Sequence, residues 1–136
     1  MFKEDYVSFE TAKLLKEKGF DEETPVNYFV GDDKHRGCVV GEMIHHRKLE
    51  EDVHLIACPT LQMAMKWLRE VHKIYIQVEP LVPEYYEKDE YVYRFQYKRL
   101  KHIPTYDKMS YIDDIQYITY EKACEAAIKY CLENLI

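Results

Sequence analysis

The stretch from Cys58 to Glu79 constrains the fold more than any other part of the chain, because a helical pattern passes directly into a strand pattern within it. Pro59 and Thr60 are typical of a helix start, and apolar residues then recur at helical spacing. From Ile74 to Glu79, apolar residues instead occupy every second position, which is the spacing of a strand. The pattern therefore predicts a helix over residues 61–72 followed at once by a strand over 74–79. The apolar positions of this helix are Leu61, Ala64, Met65, Leu68 and Val71.

Met63 and Trp67 form a second apolar row beside this main stripe. So wide an apolar face has to be covered on two sides. The interpretation we prefer is a central helix packed between a sheet and another helix. The alternative is a subunit interface, since exposed apolar patches often mark interfaces. Met63 and Trp67 are therefore the candidate contact surface.

Two further helices have clear start signals. Ser8 is a good N-cap for a helix over residues 9–18, and Gly19 follows where a left-handed residue ends a helix. Thr119 is a good N-cap for a helix over residues 120–135. Strand patterns cover residues 26–30, 38–44, 53–57, 74–79, 91–98 and 112–118.

The order of these elements predicts an α+β fold. The first two strands are expected to form a hairpin, and residues 74–79 are expected to pair with residues 91–98. At 136 residues the chain suffices for one domain with its own core. We expect a single domain over 1–136, with a mainly antiparallel sheet of four to six strands packed with three helices (about 9–18, 61–72 and 120–135).

Composition limits the classes of partner and the cellular setting. The net charge of −6 is mixed along the chain, which argues against a general binder of phosphate backbones. The N-terminal MFKEDYVSFE carries charge where a signal peptide needs an apolar core, so we expect a cytoplasmic protein with free thiols. No apolar run approaches the roughly 20 residues that span a bilayer.

Tyrosine is over-represented, with 13 residues. Six of them lie in the strand patterns given above, where this residue type is favoured, and the alternative is a dedicated binding face. Basic residues between Arg94 and Lys101 lie beside aromatic ones, which is the combination used to bind single-stranded nucleic acid. On one regular strand, however, the aromatic and basic side chains point to opposite sides. We therefore expect the aromatic residues in the core and treat nucleic-acid binding as the second hypothesis.

One set of residues has the composition of a structural zinc site. The spacing is H-x2-C-x15-H-x3-C, which supplies four nitrogen and sulfur ligands in two close pairs. This third hypothesis competes with a simpler interpretation, in which Cys38 is a small buried residue of an apolar run. The candidate ligands are His35, Cys38, His54 and Cys58.

No pattern indicates catalysis or a cofactor. Cys58 precedes a helix N-terminus and His54 lies four residues before it, but Pro59 separates the thiol from the helix and no third orienting group is evident. The four glycines form neither a P-loop nor a dinucleotide-binding pattern. We predict no catalytic residue, no cofactor and no enzymatic activity.

Three segments resemble a family of small uncharacterised proteins from gut anaerobes, many of them encoded in prophages and other mobile elements. They are SFETAKLLKEKGF (8–20), PTLQMAMKWLREVHKIYIQVE (59–79) and TYEKACEAAIKYCLENLI (119–136). The resemblance implies a small cytoplasmic domain of mobile-element origin and carries over no activity. Our leading hypothesis is a non-enzymatic accessory protein that acts through protein contacts, with a homodimer as the first form to test.

Overall fold

The computed structural model describes residues 4–30, 37–44, 47–50, 53–81, 92–100, 110–111 and 116–136, with side chains at 4–28, 55–81, 92–100 and 116–136. The elements in chain order are α1 (Phe9–Glu17), β1 (Thr24–Val30), β2 (Gly37–Ile44), β3 (Arg47–Glu50), β4 (Val53–Ala57), α2 (Leu61–His72), β5 (Ile74–Leu81), β6 (Val92–Arg99), β7 (Ser110–Tyr111) and α3 (Tyr120–Asn134).

The mixed α+β character and the three predicted helices are confirmed. The N-cap signals act as the sequence predicted. The Ser8 hydroxyl accepts a hydrogen bond from the Thr11 N–H at 3.2 Å, and the Thr119 hydroxyl accepts one from the Lys122 N–H at 3.1 Å. Each cap satisfies one of the backbone donors left unpaired at a helix start.

Gly19 ends α1 in the left-handed conformation that was predicted, with φ of +93°. The Phe20 N–H donates to the Leu15 carbonyl at 2.9 Å, and the Gly19 N–H donates to the Lys16 carbonyl at 3.1 Å. These two bonds form a Schellman motif. Phe20 and Leu15 are both buried, as expected for the apolar contact that accompanies this motif.

The prediction of one sheet of four to six strands is wrong, because the strands are divided between two antiparallel sheets. Their orders are β2-β1-β4-β3 and β5-β6-β7. The predicted pairings are nevertheless confirmed, since β1 pairs with β2 and β5 pairs with β6. All strands of the first sheet precede α2 along the chain, and all strands of the second sheet follow it.

Two short strands were not predicted. Strand β3 has the sequence RKLE, whose charge suits an edge position that pairs only with β4. Strand β7 lies at Ser110–Tyr111, and it pairs with β6. Of the predicted strand over 112–118, residues 112–115 lie outside the described part of the chain, and Tyr117 forms an isolated bridge with Tyr93.

The chain divides into two compact units, residues 1–64 and residues 65–136, with the boundary inside α2. The single domain over 1–136 stays a prediction. In the first unit, an N-terminal segment runs beside the residues that lead into α2. The Val7 N–H donates to the Pro59 carbonyl at 3.1 Å, and the Leu61 N–H donates to the Asp5 carbonyl at 2.9 Å.

In the second unit, α3 packs against β5 and β6. Ile76 lies opposite Tyr97 and Val78 lies opposite Phe95, so these side chains share one face of the sheet. Ile76 and Phe95 are buried there. The buried residues of the helix are Ala123, Cys124, Ala127, Ile128, Cys131 and Leu132.

Helix α2 is buried at some positions of both predicted apolar rows, whereas Met63 and Met65 are half-buried. Leu61, Ala64 and Leu68 are buried in the main row, and Trp67 in the second row is 7% exposed. The prediction is wrong for Val71, which is 56% exposed. Val71 lies in the last turn, one residue before α2 ends, so the core does not extend to it.

Candidate functional site

The described residues carry a group of aromatic side chains that we call the tyrosine cluster, positioned by a bridge between two backbone segments. The Tyr93 N–H donates to the Tyr117 carbonyl, and the Tyr117 N–H donates to the Tyr93 carbonyl, both at 2.8 Å. This bridge holds the segment before α3 beside β6. The tyrosine cluster comprises Tyr93, Phe95, Tyr97, Tyr117, Tyr120 and Tyr130.

The rings of the tyrosine cluster contact one another in the geometries that aromatic pairs prefer. Tyr93 and Tyr120 meet edge to face with centroids 6.1 Å apart, and Tyr97 and Tyr130 lie 5.7 Å apart. Burial raises the pKa of Tyr117. Burial, with a smaller contribution from a hydrogen bond to Tyr97, raises the pKa of Tyr130. Both phenols therefore stay neutral at physiological pH.

Ile118 lies beside this cluster and is 70% exposed. It precedes the N-cap Thr119, a position from which an apolar side chain often packs onto the fourth residue of the helix. That fourth residue, Ala123, is fully buried, whereas Ile118 remains in solvent. The result is an apolar side chain beside Tyr120, which is also exposed.

A second surface is the face of the three-stranded sheet that is opposite to Ile76 and Phe95, and we call it the Tyr75 face. Tyr75 on β5 lies directly opposite Lys98 on β6, and Gln77 lies opposite Gln96. At its far end the Arg94 guanidinium forms an ion pair with Glu79. The Tyr75 face comprises Tyr75, Gln77, Glu79, Arg94, Gln96 and Lys98.

Gln96 is a polar residue in the middle strand of that sheet and is almost completely buried. Its Oε1 atom has no hydrogen-bond partner among the described residues. A buried acceptor without a partner costs about 1–3 kcal/mol. The burial of Gln96 was not predicted from the sequence.

The two predicted contact residues differ in how far they are buried. Met63 is half-buried, and its N–H donates to the Thr60 hydroxyl at 3.1 Å. Trp67 is buried, with its ring edge-on to His72 at a centroid distance of 4.6 Å. A contact through Met63 and Trp67 stays a prediction, but little of the Trp67 ring is available to a partner.

The side chains of three of the four candidate zinc ligands lie outside the described part of the structure. His35 is outside the described residues, and of Cys38 and His54 only the backbone is described, on β2 and β4. The Cys58 thiol is fully buried and donates to the Val7 carbonyl at 3.6 Å. Zinc binding by the four residues stays the third hypothesis, and the absence of catalytic residues and cofactors stays a prediction.

The nucleic-acid hypothesis named residues Arg94–Lys101. On β6 the aromatic and basic side chains do alternate between the two faces, as predicted. Sequence analysis missed that Tyr75, from the neighbouring strand, lies on the same face as Lys98. The alternation of Ile74, Tyr75, Ile76 and Gln77 was the signal that could have revealed it.

Within the part of the chain that the structure describes, no helix has the length and apolar character needed to cross a membrane. No protein-family model, no curated protein and no solved structure matches the chain. The resemblance to small proteins of gut anaerobes therefore stays a prediction.

Proposed function

We propose that the chain is a non-enzymatic accessory protein that acts by contacting other proteins, and that its first contact is with a second copy of itself. The observation that carries this proposal is the exposure of Ile118 beside the tyrosine cluster. Ile118 and the exposed Tyr120 flank the N-cap Thr119, and apolar and aromatic side chains grouped on a surface are a feature of sites that partners cover.

The chemistry of this surface favours a protein partner. Burying an exposed isoleucine side chain stabilises a complex by about 2 kcal/mol. Tyrosine adds large contact area while retaining a hydroxyl that can form hydrogen bonds, and few rotatable bonds have to be fixed. Because Tyr117 and Tyr130 stay neutral, no phenolate charge opposes burial.

A homodimer through this surface would be isologous, so that each Ile118 contacts the equivalent surface of the other copy. Sedimentation equilibrium up to about 1 mM tests this arrangement. We expect the wild type to dimerise and Ile118→Asp to weaken association at least tenfold, which corresponds to about 1.4 kcal/mol.

Val71→Asp is the matched control, because Val71 is also an exposed aliphatic residue but precedes β5 instead of α3. It should leave dimerisation unchanged. A wild type that stays monomeric at every concentration contradicts the proposal. Equal weakening by both substitutions contradicts the assignment of this surface.

Origin in a phage or another mobile element is part of this proposal and rests on the resemblance of residues 8–20, 59–79 and 119–136. A mobile-element setting is compatible with an accessory role. Sequencing the flanking genes tests the origin, and neighbours that encode only housekeeping metabolism would contradict it.

A further inference from the structure

The Tyr75 face combines an exposed ring with positive charge. Ile74 and Ile76 are buried on the other side of the sheet, so alternation directs Tyr75 away from the core. Tyr75 is 39% exposed. The Leu100 N–H donates to the Lys73 carbonyl at 2.6 Å, which by alternation makes Tyr75 and Lys98 a hydrogen-bonded pair. The Cα atoms of such a pair lie about 5.5 Å apart.

The charge on this surface is positive, although the chain as a whole is acidic. Glu79 compensates the charge of Arg94 through their ion pair. Lys98 and the neighbouring Lys73 have no carboxylate partner among the described residues, and the Lys73 ammonium donates to the Glu70 carbonyl. Lys98 opposite an exposed ring, with Lys73 two residues before that ring in the chain and neither paired to a described carboxylate, is complementary to an anion that carries a planar group.

Amide groups lie next to the ring and the lysine. Gln77 is exposed and adjacent to Tyr75 on this face. Gln96, its cross-strand partner, is buried, and its Oε1 atom has no hydrogen-bond partner among the described residues. An amide can both donate to and accept from the edge of a nucleic-acid base.

We propose that the Tyr75 face binds single-stranded nucleic acid, with a base stacked on Tyr75, a phosphate beside Lys98 and a base edge hydrogen bonded to Gln77. Sheet surfaces that bind single strands use this division of labour between aromatic and basic side chains. Two lysines can contact only a few phosphates, so binding is weak and is lost as salt is raised. This inference concerns a different face from the proposed dimer contact and does not depend on it.

Fluorescence anisotropy with a labelled single-stranded DNA of about 12 nucleotides, at low salt, measures this binding. Tyr75→Ala should weaken it about tenfold, because base stacking on an aromatic ring is lost. Tyr75→Phe should bind as the wild type does. Tyr6→Ala is the matched control, because Tyr6 is 38% exposed but lies in the other unit, and it should have no effect.

The salt dependence tests the role of Lys98. Lys98→Glu should weaken binding and lower the slope of log affinity against log salt by about 0.7 for one lost phosphate contact. Lys122→Glu, on the exposed side of α3, makes the same charge change and should leave the slope unaltered.

Gln96→Leu separates binding from folding. Removing the buried acceptor without a partner should make the chain more resistant to urea and leave binding unchanged, because Gln96 is buried and the proposed contact with the base edge is Gln77. The proposal is overturned if the wild type does not bind the oligonucleotide, if Tyr75→Ala binds as the wild type does, or if polyglutamate binds in place of DNA. The last result would assign the face to an acidic protein partner.

Discussion

Tyr93 and Tyr117 are joined by a reciprocal pair of backbone hydrogen bonds, and this isolated bridge determines where Ile118 lies. The bridge fixes the chain on one side of Ile118, and the N-cap Thr119 fixes it on the other. Ile118 is therefore held in solvent by its backbone neighbours, beside Tyr120. This relationship places an apolar side chain on the surface of the second unit.

We predict that Lys73→Gly stabilises the chain by about 1 kcal/mol. Lys73 has φ of 58°, a left-handed conformation that costs a residue with a side chain about 1–2 kcal/mol and that glycine adopts freely. The exposed bond from its ammonium to the Glu70 carbonyl offsets only part of this gain. Urea unfolding of the variant and the wild type measures the difference.

Lys66→Gly is the control for this prediction, because Lys66 is an exposed lysine inside α2 with ordinary helical neighbours. Glycine there should destabilise the chain by about 1 kcal/mol. The same lysine-to-glycine change should thus raise the free energy of unfolding at position 73 and lower it at position 66. Destabilisation by Lys73→Gly would show that the side chain contributes more than its backbone conformation costs.

We predict that His72 makes the chain less stable as pH falls through 6.5. Burial lowers the pKa of His72 below its ordinary value of 6.5, and its Nε2 has no hydrogen-bond partner among the described residues. Just below pH 6.5 the unfolded chain binds more protons than the folded chain, so the free energy of unfolding decreases. The decrease ends once the pH is below the folded-state pKa.

Urea unfolding at about pH 7.5 and about pH 5.5 measures this effect when the wild type is compared with His72→Phe, which keeps a ring against Trp67 but cannot titrate. The other five histidines are common to both proteins. The wild type should lose more stability than the variant between the two values. Equal losses of stability in the two proteins would contradict the prediction, because they would show that His72 has the same pKa in the folded and unfolded chain.

Sequence reasoning predicted those parts of the fold that depend on local chemistry. The N-caps Ser8 and Thr119 and the left-handed Gly19 were identified because each acts on backbone atoms a few residues away. The division into two sheets was not predicted, because strand patterns specify pairing faces and not the number of sheets.

The candidate surfaces were predicted less well, because they depend on contacts between distant residues. Trp67 has the same helical spacing whether it is buried or lies at an interface, so the pattern could not distinguish these outcomes. Ile118 was treated as part of a strand, and its exposure follows from the bridge between Tyr93 and Tyr117. Tyr75 and Lys98 are brought together by the register of β5 and β6.

We predict that the thiols of Cys58, Cys124 and Cys131 react with Ellman's reagent only after unfolding. None of the three forms a disulfide, and all three are fully buried. Burial, partly opposed by the charge of Arg99, raises the pKa of Cys131 to about 12, so almost none of it is thiolate at neutral pH. Measuring the reaction in Cys38→Ser restricts the assay to these three thiols. Rapid reaction of any of them in the folded variant would contradict their burial.

Hydrogen exchange of the backbone amides, compared between dilute and concentrated protein, tests the proposed contact most directly. If two copies associate through Ile118 and the tyrosine cluster, the amides of Ile118 and its neighbours should exchange more slowly at high concentration, while the amides of the N-terminal segment should not change. Unchanged exchange around Ile118 in a sample whose mass is twice the 16.4 kDa of one chain would contradict the account.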